Sequence, residues 1–153
     1  MKLISIVIPC YNSQATIRKV TEMVMEEFKK MDGYECEFVL VNDCSPKDDT
    51  YGEIEKLGQD YPNVKGINLL RNSGQHNALM AALHYTSGDY ILGMDDDMQT
   101  HPSQISKLIH KMEEGFDLVY GCYPKKKNSM LKNLSSKINE VSSRILLGRP
   151  KDI

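Results

Sequence analysis

No run of 18 apolar residues occurs anywhere in the 153-residue chain, so the sequence offers no helix long enough to cross a bilayer. The N-terminus lacks a secretion signal's order of basic, long apolar and small residues; the apolar run at 3–8 is too short and too β-branched. There are only four cysteines, Cys10, Cys36, Cys44 and Cys122, and no two stand as C-x-x-C. Zinc-ribbon and thioredoxin-like chemistry are thereby excluded, and free thiols in a reducing cytosol are expected. No charge excess exists either. The net charge of −2 argues against general nucleic-acid binding. Three nucleotide and hydrolase signatures are missing as well. The turn after the first apolar run reads Pro9-Cys10-Tyr11-Asn12 rather than G-x-G-x-x-G, and neither G-x-x-x-x-G-K-[ST] nor G-x-S-x-G is present.

What is present is a globular balance, 41% hydrophobic and 26% charged, in a length that suits one domain and buries a core without staples. The charge is uneven. Residues 121–153 hold eight basic and two acidic side chains, a net +6, while the other 120 hold 11 basic and 19 acidic, a net −8. Five short apolar runs, at 3–8, 37–41, 64–69, 90–94 and 117–120, read as buried parallel strands. Helix-length segments lie between them, at 13–31, 47–60, 75–86 and 102–114. Asn12 or Ser13 is expected to cap the first of these helices. Thr100 or His101, followed by Pro102, is expected to open the last, which ends at Gly115. Strand–helix alternation repeated four times predicts an α/β fold with a Rossmann-like, doubly wound, mostly parallel sheet flanked by helices. Ligands of such sheets gather at the carboxyl ends of the strands. The polar stretches 9–13, 42–50, 71–76 and 95–99 should therefore open on one edge.

Three of those stretches carry chemistry. In Asp95-Asp96-Asp97-Met98-Gln99, residues two apart point the same way in extended backbone. Asp95 and Asp97 can converge on one cation with Asp96 turned away, and Gln99 lies on the same side. Hard oxygen donors suit Mg²⁺ or Mn²⁺, ions that also take phosphate oxygens. The plainer alternative is an acidic loop capping the next helix. In Val41-Asn42-Asp43-Cys44-Ser45-Pro46, an ionised Asp43 can accept the ring N–H of uracil or guanine; alternatively Asp43 or Ser45 forms the turn. In Arg71-Asn72-Ser73-Gly74-Gln75-His76, Gly74 permits close backbone approach to a ligand. Arg71 either meets phosphate or base, or is a solvated turn residue. Past the loop at 123–129, Met130, Leu134, Ile138, Val141 and Ile145 fall at helical spacing beside Lys132, Lys137 and Arg144. That is a basic amphipathic helix, packed on the sheet or a further domain, or lying on an anionic membrane surface.

Together these motifs resemble family 2 of the inverting glycosyltransferases, which have the GT-A fold. The resemblance covers essentially the whole chain. It rests on residues 6–12, 41–46, 71–78, 88–90 and 95–99, in that order and spacing. Asp-x-Asp followed by x-Gln, with Gly74-Gln75-His76, is most similar to the dolichyl- or polyprenyl-phosphate sugar transferases. That subgroup's pattern D-x-D-L-Q-x-P-P reads here as Asp95 to Pro102. The resemblance implies that Asp95, Asp97 and Gln99 bind Mg²⁺ or Mn²⁺ and the donor diphosphate. It implies that Asp43 recognises the base, that Pro9 and Tyr11 line the nucleoside pocket, and that Arg71 lies near base or ribose. The implied reaction is metal-dependent, inverting transfer of a sugar from a UDP- or GDP-sugar to a polyprenyl phosphate or a cell-surface glycan. No catalytic base is identified in this stretch, and a lipid phosphate, already an anion, needs little help from one. The family's paired Asp–Asp reads Asn42-Asp43, and Ser13 stands where many members carry Glu. The expected organisation is a donor-binding domain at 1–121 and, at 122–153, a basic loop and helix leading into an acceptor or membrane region, with the protein cytoplasmic or at the cytoplasmic face of a membrane. Two other readings stay open: a non-catalytic nucleotide-sugar-binding module, and a transferase acting on a saccharide hydroxyl.

Overall fold

Apolar, β-branched runs become strands where a neighbouring strand completes their hydrogen bonds, and four of the five expected runs do so. The computed structural model describes residues 1–98 and 101–121. Within them the order is β1 (Lys2–Cys10), α1 (Ile17–Phe28), β2 (Tyr34–Asn42), α2 (Thr50–Asp60), β3 (Val64–Asn68), α3 (Gln75–Leu83), β4 (Tyr90–Gly93) and α4 (Ile105–Glu113). The strands form one sheet in the order β3-β2-β1-β4, every pair parallel. By contacts the chain divides into Met1–Asp117 and Leu118–Ile153; the sheet and helices above belong to the first unit.

Two apolar layers sandwich the sheet. On one face the side chains of Ile4, Ile6 and Ile8 from β1 and Phe38 and Leu40 from β2 pack with Ile17, Val20 and Val24 of α1, Ile54 and Leu57 of α2, and Ile105 and Ile109 of α4. The other face is thinner: Val7, Val39 and Val41 meet Ala78 and Ala82 of α3. Strands buried on both faces read as continuous apolar runs, which is why β1 and β2 were legible. In α1 the buried residues Ile17, Val20, Thr21, Val24 and Phe28 keep a helical period.

Three boundaries differ from expectation. β2 starts at Tyr34, three residues early, because Lys2 to Ser5 ladder against Tyr34 to Glu37 beyond the apolar run. α1 starts at Ile17 rather than Ser13. The carbonyl of Ser13 accepts from the Thr16 and Ile17 N–H groups, and its hydroxyl is used elsewhere. The fifth strand does not form. Residues 117–121 have no regular secondary structure, Leu118 is 65% and Tyr120 77% exposed, and nothing among the described residues pairs with them. At α4, His101 caps the Pro102–Gln104 turn by accepting from Ser103 N–H, and Gly115 (φ +97°) closes the helix, both as expected.

The Gly88-Asp89-Tyr90 motif sets β4 in register against β1. Asp89 N–H donates to Leu3 O at 2.7 Å, its carboxylate accepts from Leu3 N–H at 2.8 Å, and Gly88 N–H donates to Ser5 Oγ at 2.9 Å. A Cβ at Gly88 would lie 2.7 Å from both Leu3 O and Ser5 N. Beside it the buried Glu37 carboxylate accepts from Ser5, Ser87 and Lys65. Burial alone would raise its pKa, but those donors hold it at about 2, below its ordinary 4.5.

Two outcomes follow for stability. Gly88→Ala should lose about 1–3 kcal/mol in denaturant titration, because the clash is with fixed backbone. Glu37 contributes stability that is fully present above pH 4.5 and is lost as pH falls toward 2. Glu37→Gln should therefore be destabilised at neutral pH and show a flatter acid limb across that window in pH-dependent unfolding.

Candidate functional site

Parallel register brings all four strand ends to one edge. Cys10 stands opposite Asn42, Asn42 opposite Asn68, and Val7 opposite Gly93. From β1 the connections run outward to β2 and β3, and the chain then returns to place β4 on the other side of β1. Between β1 and β4 lies the switch point, where turns splay apart. A cavity of about 430 Å³ opens at this edge, lined by Pro9, Cys10, Tyr11, Asp43, Asn72, Gly74, Gln75, Asp95, Asp96 and Asp97. That size suits a small polar ligand. Four carboxylates line the cavity, and no Lys, Arg or His is among the described lining residues.

Each turn carries one residue in the left-handed region: Asn12 (φ +57°), Cys44 (φ +55°), Gly74 (φ +85°) and Met98 (φ +57°). Such a conformation is unfavourable for Cys and Met, and survives only where surrounding bonds fix it. Side-chain hydrogen bonds link the turns. Asn12 N–H donates to Ser45 Oγ at 2.9 Å, and Asn12 Oδ1 accepts from Lys47 N–H at 3.1 Å. Asn42 donates to Asn68 at 2.8 Å and accepts from the Ser45 hydroxyl at 2.6 Å. Gln75, in the first turn of α3, donates to Asp95 at 3.0 Å. Asp96 accepts from the hydroxyl of Ser13 and from Tyr11 N–H, the latter at 3.3 Å. A chain of polar contacts thus joins the turns after β1, β2, β3 and β4.

Asp43 is central to that chain. It is buried, and its two carboxylate oxygens accept from Ser73 N–H at 2.7 Å and Gly74 N–H at 2.8 Å. Its own N–H donates to Cys10 O at 2.9 Å, and its carbonyl accepts from Asn72. The carboxylate therefore holds the glycine turn at the start of α3. Each carboxylate oxygen has a second lone pair, so each could accept from one further donor. Asp49 caps α2 by accepting from Gly52 N–H.

Of the other sequence-derived site residues, Pro9, Tyr11, Asp95 and Asp97 all border the cavity. Arg71 does not; it is exposed at the end of the β3 turn. Gln99 and the basic segment at 122–153, with its amphipathic pattern, lie outside the described residues. Asp95 and Asp97 are exposed and Asp96 half-buried; all three follow the end of β4, and the backbone bends at 96–98. No group of three or more His, Cys, Asp or Glu side chains among the described residues stands close enough to hold a metal ion. The Cys10 thiol is pushed well above its ordinary pKa by burial and then by the nearby Asp96 charge, so it stays a neutral thiol. Sequence reasoning missed the linking roles of Asn42, Ser45, Asn72 and Gln75. Each lay inside a quoted motif, but nothing local told which turn it would reach.

The family model for glycosyl transferase family 2 matches residues 5–149. Among solved structures, the chain is similar to S. aureus TarS 1-349 in complex with UDP-GlcNAc, at 28% identity and a TM-score of 0.57, over 82% of this chain and 37% of that one. It is also similar to glucosyl-3-phosphoglycerate synthase from Mycobacterium tuberculosis, determined with Mn²⁺, UDP-glucose and phosphoglyceric acid, at 24% identity and a TM-score of 0.66, over 96% and 52%. A third is mannosyl-3-phosphoglycerate synthase from Rubrobacter xylanophilus, at 19% identity and 0.61, over 74% and 37%. The last two speak to the fold alone, a GT-A α/β architecture. The chain spans about half or less of the length of these proteins.

Asp43→Ala should free two backbone N–H groups. Amide exchange at Ser73 and Gly74 is expected to accelerate, with a loss of about 1–3 kcal/mol in global stability. Asp43→Asn, which keeps one oxygen acceptor, should fall between wild type and alanine in the same exchange measurement.

Proposed function

Because the chain belongs to glycosyl transferase family 2, we propose that its cavity binds the nucleoside diphosphate of a UDP- or GDP-sugar, with Mg²⁺ or Mn²⁺, for inverting transfer to an acceptor. One observation carries the reading: among the described residues, four carboxylates and no basic side chain line a cavity at the switch point of a parallel sheet. A bare diphosphate would be repelled there, since like charges a few ångströms apart in a partly dry site cost several kcal/mol, about 4 at an effective dielectric of 20. A divalent cation reverses that sign. The donor set also fits such an ion. With fewer than three described carboxylate, imidazole or thiolate groups within reach of one point, phosphate oxygens and water would complete the shell, as Mg²⁺ and Mn²⁺ prefer.

Asp95 and Asp97, with Gln99, are the proposed cation ligands. When bound, the cation would neutralise the charge that grows on the leaving diphosphate. Pro9 and Tyr11 would wall the nucleoside. The spare lone pairs of Asp43 would take a base N–H while its other bonds keep the Ser73-Gly74 turn in place. Arg71, outside the cavity wall, would have to swing inward to meet base or ribose.

The preferred acceptor is a polyprenyl phosphate. Support comes from the pattern Asp95 to Gln99 with Gly74-Gln75-His76, and from the +6 charge of residues 121–153, which suits an anionic acceptor or membrane surface. On this reading, residues 1–121 bind donor, the basic segment leads toward acceptor, and the work is done at the cytoplasmic face of a membrane. No described helix is long and apolar enough to cross one.

A thermal-shift panel of UDP, GDP and dTDP, each with and without Mn²⁺, tests the donor site. With metal, a ligand at 100 times its dissociation constant should stabilise by about 2.7 kcal/mol, and without metal the same concentration should stabilise measurably less. Asp95→Ala and Asp97→Ala should each abolish the metal-dependent part. Calorimetric affinities unchanged in both variants would remove the two acids from the site.

A further inference from the structure

Of the three consecutive acids, the middle one behaves differently from its neighbours. Asp95 and Asp97 are exposed at the cavity, whereas Asp96 is half-buried and directed at the turn after β1. Its Oδ2 accepts from the hydroxyl of Ser13 and, at 3.3 Å, from Tyr11 N–H. The direction of the bonds is forced. An ionised carboxylate can only accept, so the single hydroxyl proton of Ser13 goes to Asp96. The oxygen of Ser13 is then left to accept from Tyr11 N–H, at 2.9 Å. Tyr11 amide, Ser13 hydroxyl and Asp96 carboxylate form a directional, charge-terminated chain, in which each bond strengthens the next.

Ser13 is itself held on every side. It is buried, its N–H donates to Thr50 Oγ1 at 2.8 Å, and its carbonyl accepts from Thr16 at 3.0 Å and Ile17 at 2.9 Å. A fixed hydroxyl therefore stands between the acidic tripeptide and the turn that carries Tyr11. Tyr11 is 48% exposed and walls the cavity. Its backbone is tethered through this chain to the segment that supplies the cation-binding acids.

We propose that Asp96 is a positioning residue that sets the Tyr11 turn through Ser13, and is not a cation ligand. The proposal rests on the donor-site reading above and divides labour within the acidic triplet. Asp95 and Asp97 face the diphosphate; Asp96 fixes the nucleoside wall. Ser13 supplies the hydroxyl donor that this arrangement needs, which a carboxylate at that position could not do while ionised.

Calorimetry with UDP and GDP, with and without Mn²⁺, separates the roles across Asp96→Ala, Asp96→Asn, Ser13→Ala and the Ser13→Ala/Asp96→Ala double variant. Loss of a charge-assisted bond should weaken diphosphate binding about tenfold in Asp96→Ala and in Ser13→Ala, by the same factor with and without Mn²⁺. The double variant should be no weaker than the weaker single one. Asp96→Asn keeps an oxygen acceptor and should stay within about threefold of wild type. Loss of the Mn²⁺ dependence in both Asp96 variants would make Asp96 a cation ligand and overturn the proposal, as would multiplicative effects of the two single changes. Should wild type bind neither diphosphate, the donor-site reading fails, and exchange of the Tyr11 amide in ligand-free protein decides the tether alone. Faster exchange in Asp96→Ala at an unchanged melting temperature supports it, and unchanged exchange refutes it.

Discussion

The site depends on β1 being hydrogen-bonded in parallel to two strands that are reached from opposite directions. β2 follows it directly and β4 only after the chain has passed through β3 and α3. Parallel ladders bring every strand end to one level, and the reversal of winding leaves a gap between the turns after β1 and β4. Everything of chemical interest sits in that gap or beside it. The core makes the geometry rigid: Ile4, Ile6 and Ile8 pack on one face of β1 and Val7 on the other, all essentially without solvent contact. A one-residue slip of β4 would exchange the faces of its side chains, and Gly88 with Asp89 fixes its register by backbone contacts that tolerate no Cβ.

Around the gap, polar side chains do what apolar packing cannot. Four turns with left-handed residues are linked by carboxylate, amide and hydroxyl groups, and among the described residues no buried side-chain oxygen or nitrogen is left without a partner. Full satisfaction is what makes such a network rigid rather than costly. The concentration of negative charge is a separate matter. Asp43 is offset by two N–H donors, Asp95 by Gln75 and Asp96 by Ser13 and Tyr11, all neutral. Hydrogen bonds from neutral donors stabilise each anion but cancel no charge. On the proposed reading a divalent cation would offset that charge, and that is the physical link from fold to proposed chemistry.

Much of this was legible in the sequence, and the limits have physical causes. Buried parallel strands announce themselves because both faces are apolar, so β1 to β4 were placed within a few residues. The run at 117–120 shows the weakness of that signal, since it reports burial potential and not the presence of a neighbouring strand. The helix after β1 was placed four residues early because Ser13, a good cap by type, spends its hydroxyl on Asp96. The sequence placed the acidic triplet just after β4, where the structure has it, but the backbone there bends rather than continuing as a strand. The partner of Asp96 was not readable, because it comes from 83 residues away. Asp43 was readable as a strand-end acid, but not its grip on the Ser73-Gly74 turn. Nothing in the side chains of Cys44 or Met98 signals a positive φ.

The central claim is that Asp95 and Asp97 bring a divalent ion to a nucleoside diphosphate in this cavity. A crystal of the protein grown with Mn²⁺ and UDP or GDP, measured at the manganese absorption edge, tests it most directly. The account predicts one anomalous peak at the β4 turn, within ligand distance of an oxygen of each of those acids and of the diphosphate. Diphosphate bound in the cavity with the peak absent, or with the ion held elsewhere, would contradict it.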